Sequence, residues 1–272
     1  SLLSAIEAVS CAVEPLGWVP SWFAEIDPHC CKLLAEKWPG VPNIGDVTRA
    51  DFLRDAGALG RIDALFGGDP CPVRSRASTI HNSNAADLSG YFLSIVGALR
   101  PEWVVRENVC SPDVIYFAVG LDLLGYSVSV VEIDARSFTG QSRARQFVVG
   151  CVDGEASRRF QELVSEYQSG ARDSAQDIQG TESAFACLVA KGLSSRSFMS
   201  DFVWEEDRQQ IRLLHPREME RLQGFPTDWT RGLSITHRGR TLGNSMCVPV
   251  IRWIAERIEG ARVVTANGGR RC

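Results

Sequence analysis

The sequence lacks the paired cysteines and clustered histidines of a metal site. Its nine cysteines lie at positions 11, 30, 31, 71, 110, 151, 187, 247 and 272, and no two form a C-x-x-C pair. Only four histidines are present, none at a ligand spacing from a cysteine. Zinc centres need such spacings, and a disulfide framework is typical of much shorter secreted chains. We therefore expect no metal, and mostly buried apolar cysteines.

Long hydrophobic runs and internal repeats are also missing. No apolar run approaches the roughly 18 residues of a membrane span, and no signal peptide is recognisable in the sequence. These absences predict a soluble cytoplasmic protein with no membrane partner. The 272 residues, 44 % of them hydrophobic, are enough for one large domain, or a medium domain with a small appendage.

The net charge of −4 hides an uneven distribution along the chain. Residues 1–135 carry 9 Lys and Arg against 17 Asp and Glu, whereas residues 136–272 carry 20 against 16. An acidic half joined to an arginine-rich half is compatible with nucleic-acid binding through the second half. A solvated charged surface explains the same numbers equally well.

Short apolar runs alternate with amphipathic stretches over the first 150 residues. The pattern predicts strands at 1–4, 22–27, 62–68, 102–108, 127–134 and 145–152, and helices at 5–17, 29–38, 87–100 and 114–125. Such alternation indicates an α/β fold of βαβ units with a largely parallel sheet. Ligands of these sheets bind beyond the carboxyl ends of the strands.

The pattern changes after Val152. It predicts a polar helix at 154–170, a loop at 171–184, short mixed strands at 185–207, and helices at 215–225 and 249–260. The character of the chain therefore changes near residue 152.

Residues 66–78, FGGDPCPVRSRAS, place one cysteine on a tight turn after a predicted strand. The glycines permit a close backbone approach, and Pro70 stiffens the turn. Arg74 and Arg76 would favour the thiolate of Cys71, which is the nucleophilic form. A lone cysteine is more often structural, so the interpretation as a nucleophile rests on this setting at the ligand edge.

Two further groups follow the same logic. Glu107, in VVRENV, ends another apolar strand, where desolvation would suit it to proton donation; a plain surface glutamate is the alternative. Arg143 and Arg145, in TGQSRARQFVVG, alternate on one face at the start of a strand. They either form the solvent face of an edge strand or bind a polar heterocycle or a phosphate.

Cofactor-like features occupy the first strand ends. The stretch SAIEA opens the first helix, where backbone N–H groups can receive a carboxylate. Glu25 ends the second strand, the place where an acid accepts from ribose hydroxyls, and Asp46 in GDV is suited to an exocyclic amine. Each feature alone is weak, and their order carries the prediction.

Five blocks resemble signature motifs of the DNA (cytosine-5) methyltransferases, in that family's order: GGDPCP, RENV, QSRAR, LHPREMERLQGFP and LGNSMCVPV. SLLSAIEA, FAEIDP and IGDV resemble its cofactor-side motifs, particularly in phage-type members. The resemblance covers nearly the whole chain apart from about sixty residues between 151 and 211. It implies a Rossmann-like class I methyltransferase sheet at 1–150, a small target-recognition region at 151–242, and a segment at 243–272 that returns to the catalytic domain.

The resemblance also implies catalytic roles. Cys71 would attack C6 of a flipped-out cytosine, so that C5 accepts a methyl group from S-adenosyl-L-methionine. Glu107 would bind the ring at N3 and its amino group. Arg145 would contact the base and orient the cysteine loop, with Arg143 beside it, and Asn244 would lie near the methionine moiety.

Two sets of binding residues follow from the same resemblance. The cofactor set is Ser4, Ala5, Ile6, Glu7, Glu25, Ile26, Asp46, Val47, Asp69, Asn244 and Ser245. The DNA set is Pro70, Arg74, Arg76, Asn108, Gln141 and Arg212. The implied partner is double-stranded DNA, bound by a monomer in the cytoplasm of a bacterial or phage-infected cell, at the nucleoid.

Three departures from the family pattern leave the cofactor affinity, the rate and the identity of the donor open. Ala5 stands where glycine is usual, Pro72 where glutamine or asparagine is common, and the usual proline before Gln141 is absent. The donor is therefore S-adenosyl-L-methionine or a close analogue with a modified transferable group.

The short recognition region predicts a short or relaxed site, since each base-edge contact supplies only about 1–3 kcal/mol. Transfer-RNA methylation, a small-molecule methyltransferase and a catalytically inactive DNA-binding relative compete with this interpretation.

Overall fold

A four-stranded sheet lies at the centre of the computed structural model, which describes residues 1–69, 88–170 and 202–262. Its strands, in the spatial order β1-β2-β4-β3, are β1 (Ala64–Gly67), β2 (Trp103–Val109), β3 (Ser127–Asp134) and β4 (Ala144–Cys151). β1 and β2 are parallel, and β4 is antiparallel to both β2 and β3. Isolated parallel bridges, Leu2 to Gly67 and Ala24, and Phe23 to Asn43, continue the sheet beyond β1.

The expectation of a largely parallel sheet is confirmed except at β4. A crossover to a parallel strand needs a dozen or more residues. Only residues 135–143 connect β3 to β4, and they contain a single four-residue helix, so β4 returns beside β3 in the opposite direction.

Ten α-helices are described: α1 (Ala8–Val13), α2 (Pro28–Lys37), α3 (Phe52–Ala58), α4 (Leu88–Leu99), α5 (Val114–Leu123), α6 (Arg136–Thr139), α7 (Gly154–Gly170), α8 (Pro216–Gln223), α9 (Ile235–Asn244) and α10 (Val248–Ala261). Alternate strand residues separate two cores, because successive side chains point to opposite faces of a sheet. Val105 packs in the core that holds α1, α7 and α10, whereas Val104 packs in the core that holds α4 and α5.

The predicted strands at 1–4 and 22–27 are reduced to single bridges, and the first helix begins at Ala8 rather than Ala5. Leu3, Ala5 and Glu7 have positive φ angles of 53°, 48° and 60°. L-residues rarely adopt this region, and it breaks both the ladder and the helix start. The backbone is therefore bent here, where the cofactor motif was predicted.

Between α7 and α8, β5 (Phe202–Glu205) and β6 (Gln210–Leu213) form a separate antiparallel hairpin. Trp204 and Ile211 face each other across it, 58 % and 67 % exposed. The predicted loop at 171–184 and most of the short strands at 185–207 lie outside the described residues. Within the described ranges, no helix has the length and apolar character needed to cross a membrane.

Candidate active site

Glu107 and Arg145 form an ion pair at the edge of the sheet. Glu107 lies near the end of β2, and Arg145 lies at the start of the antiparallel neighbour β4, two positions along the register. The Nε atom of Arg145 is 3.0 Å from Oε1 of Glu107, and the two side chains are 17 % and 12 % exposed. Because β4 runs antiparallel to β2, the start of β4 lies beside the carboxyl end of β2, and the two predicted catalytic groups meet there.

The backbone that leads to the predicted nucleophile passes directly beside Glu107. A Cβ atom on Gly68 would lie 3.3 Å from Oε2 of Glu107 and 2.9 Å from the Cε atom of Met246. The second distance is too short for a real contact, so only glycine fits here without displacing Met246. Gly68, the second glycine of the GGDPCP motif, therefore lets the backbone pass close to both Glu107 and Met246.

A small pocket joins the Glu107 edge to the predicted cofactor motif. Among its lining residues are Ser4 and Ala5 from the first bend, Gly68 and Glu107 from the strand ends, and Asn244. These residues come from four separate stretches of the chain. The structure therefore brings together residues that the sequence assigned separately to cofactor and to base.

Arg143 holds the C-terminal segment in place at this pocket. Its side chain is buried, and Nη2 donates to the carbonyl oxygens of Gly243 (3.2 Å) and Ser245 (2.9 Å). These carbonyls flank Asn244, whose side chain is exposed. The contacts give Arg143 a role in orienting Asn244, whereas its neighbour Arg145 faces Glu107.

A buried cluster between α8 and α9 supports the same segment. Glu220 is fully buried and accepts from the backbone N–H groups of Asp228 and Thr230, from the Thr230 hydroxyl and from Arg238. Burial raises the pKa of Glu220, but these hydrogen bonds outweigh it and hold the pKa below its ordinary value. Gln223 donates to the carbonyl of Leu242, 2.8 Å away, close to Asn244.

The predicted ribose-binding acid is anchored by backbone groups. Glu25 accepts from the N–H groups of Ala5 (2.6 Å), Ile26 and Asp27 (both 2.8 Å). A carboxylate has about four acceptor positions, so one remains for a ligand. Ile26 beside it is 66 % exposed, an unusual exposure for an isoleucine.

Asp46 lies near this acid because Asn43 links the two chain segments. Asn43 accepts from the N–H of Glu25 and donates to its carbonyl. Oδ1 of Asp46 accepts from the backbone and hydroxyl groups of Thr48. Glu25, Ile26 and Asp46 thus lie on one surface at the strand ends, whereas Val47 is buried.

Several of the remaining predicted cofactor residues are occupied within the protein. Glu7 is buried, caps α1 and accepts from Ser1 and Ser10. Ile6 is buried, and its carbonyl accepts from Trp229. Both carboxylate oxygens of Asp69 bind Arg106. The binding assignments of these three residues stay predictions.

The predicted DNA-contacting residues are dispersed. Asn108 donates to the carbonyl of Asp69 (3.3 Å), and Arg212 makes a bidentate pair with Glu218 (2.7 and 2.8 Å). Gln141 is fully buried, and in the described part of the chain its amide atoms have no hydrogen-bond partner. Pro70, Cys71, Arg74 and Arg76 lie outside the described residues.

The six cysteines in the described ranges are free and poorly suited to nucleophilic attack. Burial is the largest cause of a raised pKa at each one. The pKa rises to about 11 at Cys11 and Cys247 and to about 12 at Cys151. Because the thiolate is the reactive form, these cysteines are chemically quiet near neutral pH.

A larger cavity of about 560 Å³ adjoins the small pocket, because Ser1 and Val9 line both. This cavity lies at the amino-terminal end of β1, where its lining includes Ile62 and Ala64. Trp18, Trp22 and Glu259 also line it. Ligands of parallel sheets bind at the opposite, carboxyl ends of the strands. The smaller pocket at Glu107 is therefore the better candidate for chemistry.

Solved structures show the fold class to which this arrangement belongs. The Entamoeba histolytica methyltransferase EhMeth superposes with a TM-score of 0.71 over 95 % of this chain and 96 % of its own, at 15 % identity. The S. pombe Dnmt2 methyltransferase superposes with a TM-score of 0.68, covering 97 % and 98 %, also at 15 % identity. The fold is a Rossmann-like methyltransferase fold, as the sequence predicted.

The sequence comparisons identify the family. The model for C-5 cytosine-specific DNA methylase matches residues 1–202 and 164–260. The chain therefore belongs to the DNA cytosine-5 methyltransferase family. The Type II methyltransferase M2.BsuMI of Bacillus subtilis is 26 % identical over 95 % of this chain and 74 % of its own length. M1.ScrFI of Lactococcus lactis is 38 % identical over 86 % and 70 %.

A shorter match concerns a differently named protein. The DNA N-6-adenine-methyltransferase of Escherichia phage P1 is 47 % identical over 77 residues. The match covers 28 % of this chain and 10 % of the phage protein. It is local, whereas the two Type II methyltransferases match along most of the chain.

Several residues that shape the site were not singled out in the sequence. Arg106, Glu220, Arg238 and Met246 all act through partners far away along the chain. Only an arginine inside an otherwise apolar strand, VVRENV, gave a signal for Arg106. Such a charge is rarely buried unless it is paired.

Proposed function

We propose that the protein methylates C5 of cytosine in double-stranded DNA, with S-adenosyl-L-methionine as the methyl donor and Cys71 as the nucleophile. The observation that carries the proposal is the pocket shared by Glu107, Gly68, Asn244 and the first bend of the chain. A base-binding acid and the methyl donor must meet for transfer to C5, and the proposal is supported because Glu107 shares this pocket with Ser4, Ala5 and Asn244 of the predicted cofactor set. The family match supports the same reaction.

The proposed chemistry is an addition followed by an elimination. The Cys71 sulfur forms a bond to C6, and the electron pair of the C5–C6 double bond makes C5 nucleophilic. C5 bonds to the methyl carbon as the bond from that carbon to the donor sulfur breaks, and S-adenosyl-L-homocysteine is the leaving group. A base then removes the C5 proton, and the C–H electron pair restores the C5–C6 double bond while the sulfur–C6 bond breaks and the thiolate is released. The quiet thiols elsewhere in the described ranges support Cys71 as the reactive one.

Glu107 would stabilise the ring during addition. Its carboxyl group faces the pocket beside Gly68 and would hydrogen-bond to N3 and the amino group, where charge develops. Arg145, 3.0 Å from Oε1, fixes its orientation. The pair is preorganised, because strand pairing between β2 and β4 sets its geometry.

The described residues fit an adenosine-containing donor. Glu25 retains an acceptor position for ribose hydroxyls, exposed Ile26 offers an apolar face to a purine, and Asp46 offers an acceptor to an amine. S-adenosyl-L-methionine supplies an electrophilic methyl group when bound. The Ala5 N–H is already bound to Glu25, which fixes the bend over which the donor would lie.

We assign target reading to the region 151–242 and place its exposed hairpin, β5–β6, against DNA. Trp204 and Ile211 form a cross-strand apolar pair open to solvent. We further propose a monomeric enzyme acting on chromosomal or phage DNA in the cytoplasm. The small region supports a short or relaxed recognition sequence.

Methyl transfer from labelled S-adenosyl-L-methionine tests the proposal. Unmethylated duplex DNA, transfer RNA and free cytidine would be incubated separately, and the modified nucleoside identified by mass spectrometry. We expect 5-methyldeoxycytidine from duplex DNA alone. Product on transfer RNA, or N6-methyladenine in DNA, would replace the proposal with one of those substrates.

Two variants make the experiment specific. Cys71→Ser should abolish product, and Cys110→Ser should not, because Cys110 has a raised pKa from burial and nearby Glu132. Turnover retained in Cys71→Ser would remove the proposed mechanism. An inert wild-type protein that still binds DNA would support the interpretation as a catalytically inactive relative.

A further inference from the structure

Arg106 occupies a position in β2 where an apolar side chain would be expected. It is 2 % exposed and lies opposite Gly67 of β1 and Val148 of β4. Its guanidinium group stacks 4.6 Å from the ring of Phe117 on α5. A buried guanidinium is costly to desolvate, so its partners indicate what it does.

The guanidinium binds both chain segments that border residues 70–87. Nε and Nη2 make a bidentate pair with Asp69, at 2.5 and 2.7 Å, and Nη2 also donates to the Ser89 hydroxyl at 3.1 Å. Ser89 in turn donates to Oδ2 of Asp69 at 3.1 Å. One side chain therefore connects the residue before the segment to the first turn of α4 after it.

The network includes the two residues that flank Glu107 in β2, Arg106 and Asn108. Glu107 is the next residue of β2, and its side chain points to the opposite face of the sheet from Arg106. Asn108, one residue further, donates to the Asp69 carbonyl at 3.3 Å. Asp69 is therefore fixed to β2 at two points, two residues before Cys71 in sequence.

Stability alone does not explain this arrangement. Replacement of a buried ion pair by well-packed apolar residues is often neutral or stabilising. What a bidentate arginine–carboxylate pair adds is defined geometry. Apolar packing would fill the space without setting the direction in which the backbone leaves Asp69.

We propose that Arg106 and Asp69 are positioning residues that fix both ends of the Cys71-bearing segment relative to Glu107. The proposal rests on the proposed function, because the benefit of the geometry is a correct approach of the thiolate to the cytosine ring. Small displacements of reacting groups are expensive: about 1 Å costs on the order of a hundredfold in rate.

The test uses the double variant Arg106→Met/Asp69→Leu, which replaces the ion pair by apolar side chains. We expect it to fold, with a melting temperature within about 5 °C of the wild type. At saturating S-adenosyl-L-methionine, we expect its single-turnover transfer rate on duplex DNA to fall at least about tenfold. A wild-type rate would overturn the proposal.

Val148→Ala is the matched control, because Val148 lies opposite Arg106 in the ladder and is equally buried. It should lower stability without changing the transfer rate. An equal rate loss in this variant would show that β2 packing, not the ion pair, matters. If the double variant does not fold, Arg106→Lys decides: it retains the charge but lacks the fork, and a wild-type rate would reject the proposal.

Hydrogen exchange separates this proposal from the proposed function. In the double variant, amides of residues 67–69 and 89–92 should exchange faster than in the wild type, whether or not the protein methylates DNA. If the wild type is inactive but these amides still exchange faster in the double variant, the proposed function is wrong and the fixing of the segment ends is retained. If exchange is the same in the double variant and the wild type, the positioning role is wrong.

Discussion

Two carboxylate–guanidinium pairs of similar length serve different ends in this molecule. At the pocket, Nε of Arg145 is 3.0 Å from Oε1 of Glu107. Between α8 and α9, Nη2 of Arg238 is 2.8 Å from Oε1 of Glu220. Glu220 is fully buried and accepts four hydrogen bonds from the protein. Glu107 is partly accessible and lines a pocket.

The difference lies in how much of each carboxylate the protein uses. About four acceptor positions are available on a carboxylate, and Glu220 fills them with groups from Asp228, Thr230 and Arg238. A saturated acid stabilises the fold and has nothing to offer a ligand. Glu107, in contrast, has carboxylate oxygen surface open to the pocket, where a ligand can bind. Substitutions at the two acids test whether this division between fold and chemistry is real.

The largest effect is expected on stability at Glu220. Glu220→Gln removes the nearer counter-charge of Arg238, leaving Asp228 at 3.8 Å, and replaces an acceptor by an amide NH₂. The free energy of unfolding should therefore fall by about 3–5 kcal/mol. Urea unfolding measures it. Glu256→Gln is the control, because Glu256 pairs only at the surface, 3.9 Å from Arg257. Equal losses in the two variants would contradict the comparison.

The converse change at Glu107 should affect rate rather than stability. Glu107→Gln is expected to slow single-turnover transfer by about 10²–10³-fold, as for loss of a group that stabilises developing charge. The melting temperature should hardly change, since the site is partly solvated. If Glu107→Gln has a clearly lowered melting temperature but a wild-type transfer rate, Glu107 serves the fold rather than the chemistry, and the comparison is wrong.

Acid should weaken the α8–α9 region through the same groups. The pKa of Glu218 is lowered mainly by its hydrogen bond to Arg212, and that of Glu220 lies below 4.5 as well. Groups with depressed pKa values in the folded state stabilise fully above the unfolded value, and this contribution is lost as pH falls through the folded value. Urea midpoints measured from pH 7 to 3 should therefore drop less steeply in Glu220→Gln.

The smallest effect on the fold is expected at the hairpin. Trp204→Ser should change the free energy of unfolding by no more than about 0.5 kcal/mol, as at other exposed sites, while raising KM for duplex DNA. Tyr116→Ser is matched to it, because Tyr116 is 78 % exposed on α5, outside the hairpin. A similar KM in both variants would remove the hairpin from the proposed DNA surface.

Much of the fold could be predicted from apolar runs. The strands β2, β3 and β4 lie within about one residue of their predicted bounds. β2 and β4 contain continuous buried runs, whereas β3 alternates buried and exposed residues, and both patterns are typical of strands. Helices α3 and α9 were missed, since Arg238, Gly239 and Arg240 give α9 little helical pattern. Positive φ at Leu3 and Ala5 is likewise invisible in residue types that normally avoid it.

The sequence motifs named individual site residues but not the network that connects them. Glu107 and Asn244 line one pocket and Arg145 pairs with Glu107, while their roles in catalysis stay predictions. The motifs did not show that Arg143 binds the carbonyls around Asn244, or that Asp69 pairs with Arg106, because these partners lie 37 to 102 residues apart. Only the folded chain shows which polar groups are already satisfied.

Covalent trapping tests the central claim most directly. A duplex carrying 5-fluorocytosine at the target position would be incubated with the protein and S-adenosyl-L-methionine, since fluorine at C5 blocks the final elimination. We predict an adduct that survives denaturation, with the oligonucleotide bonded to Cys71, and none with Cys71→Ser. Absence of the adduct, under conditions in which ordinary DNA is methylated, would contradict attack by this thiol.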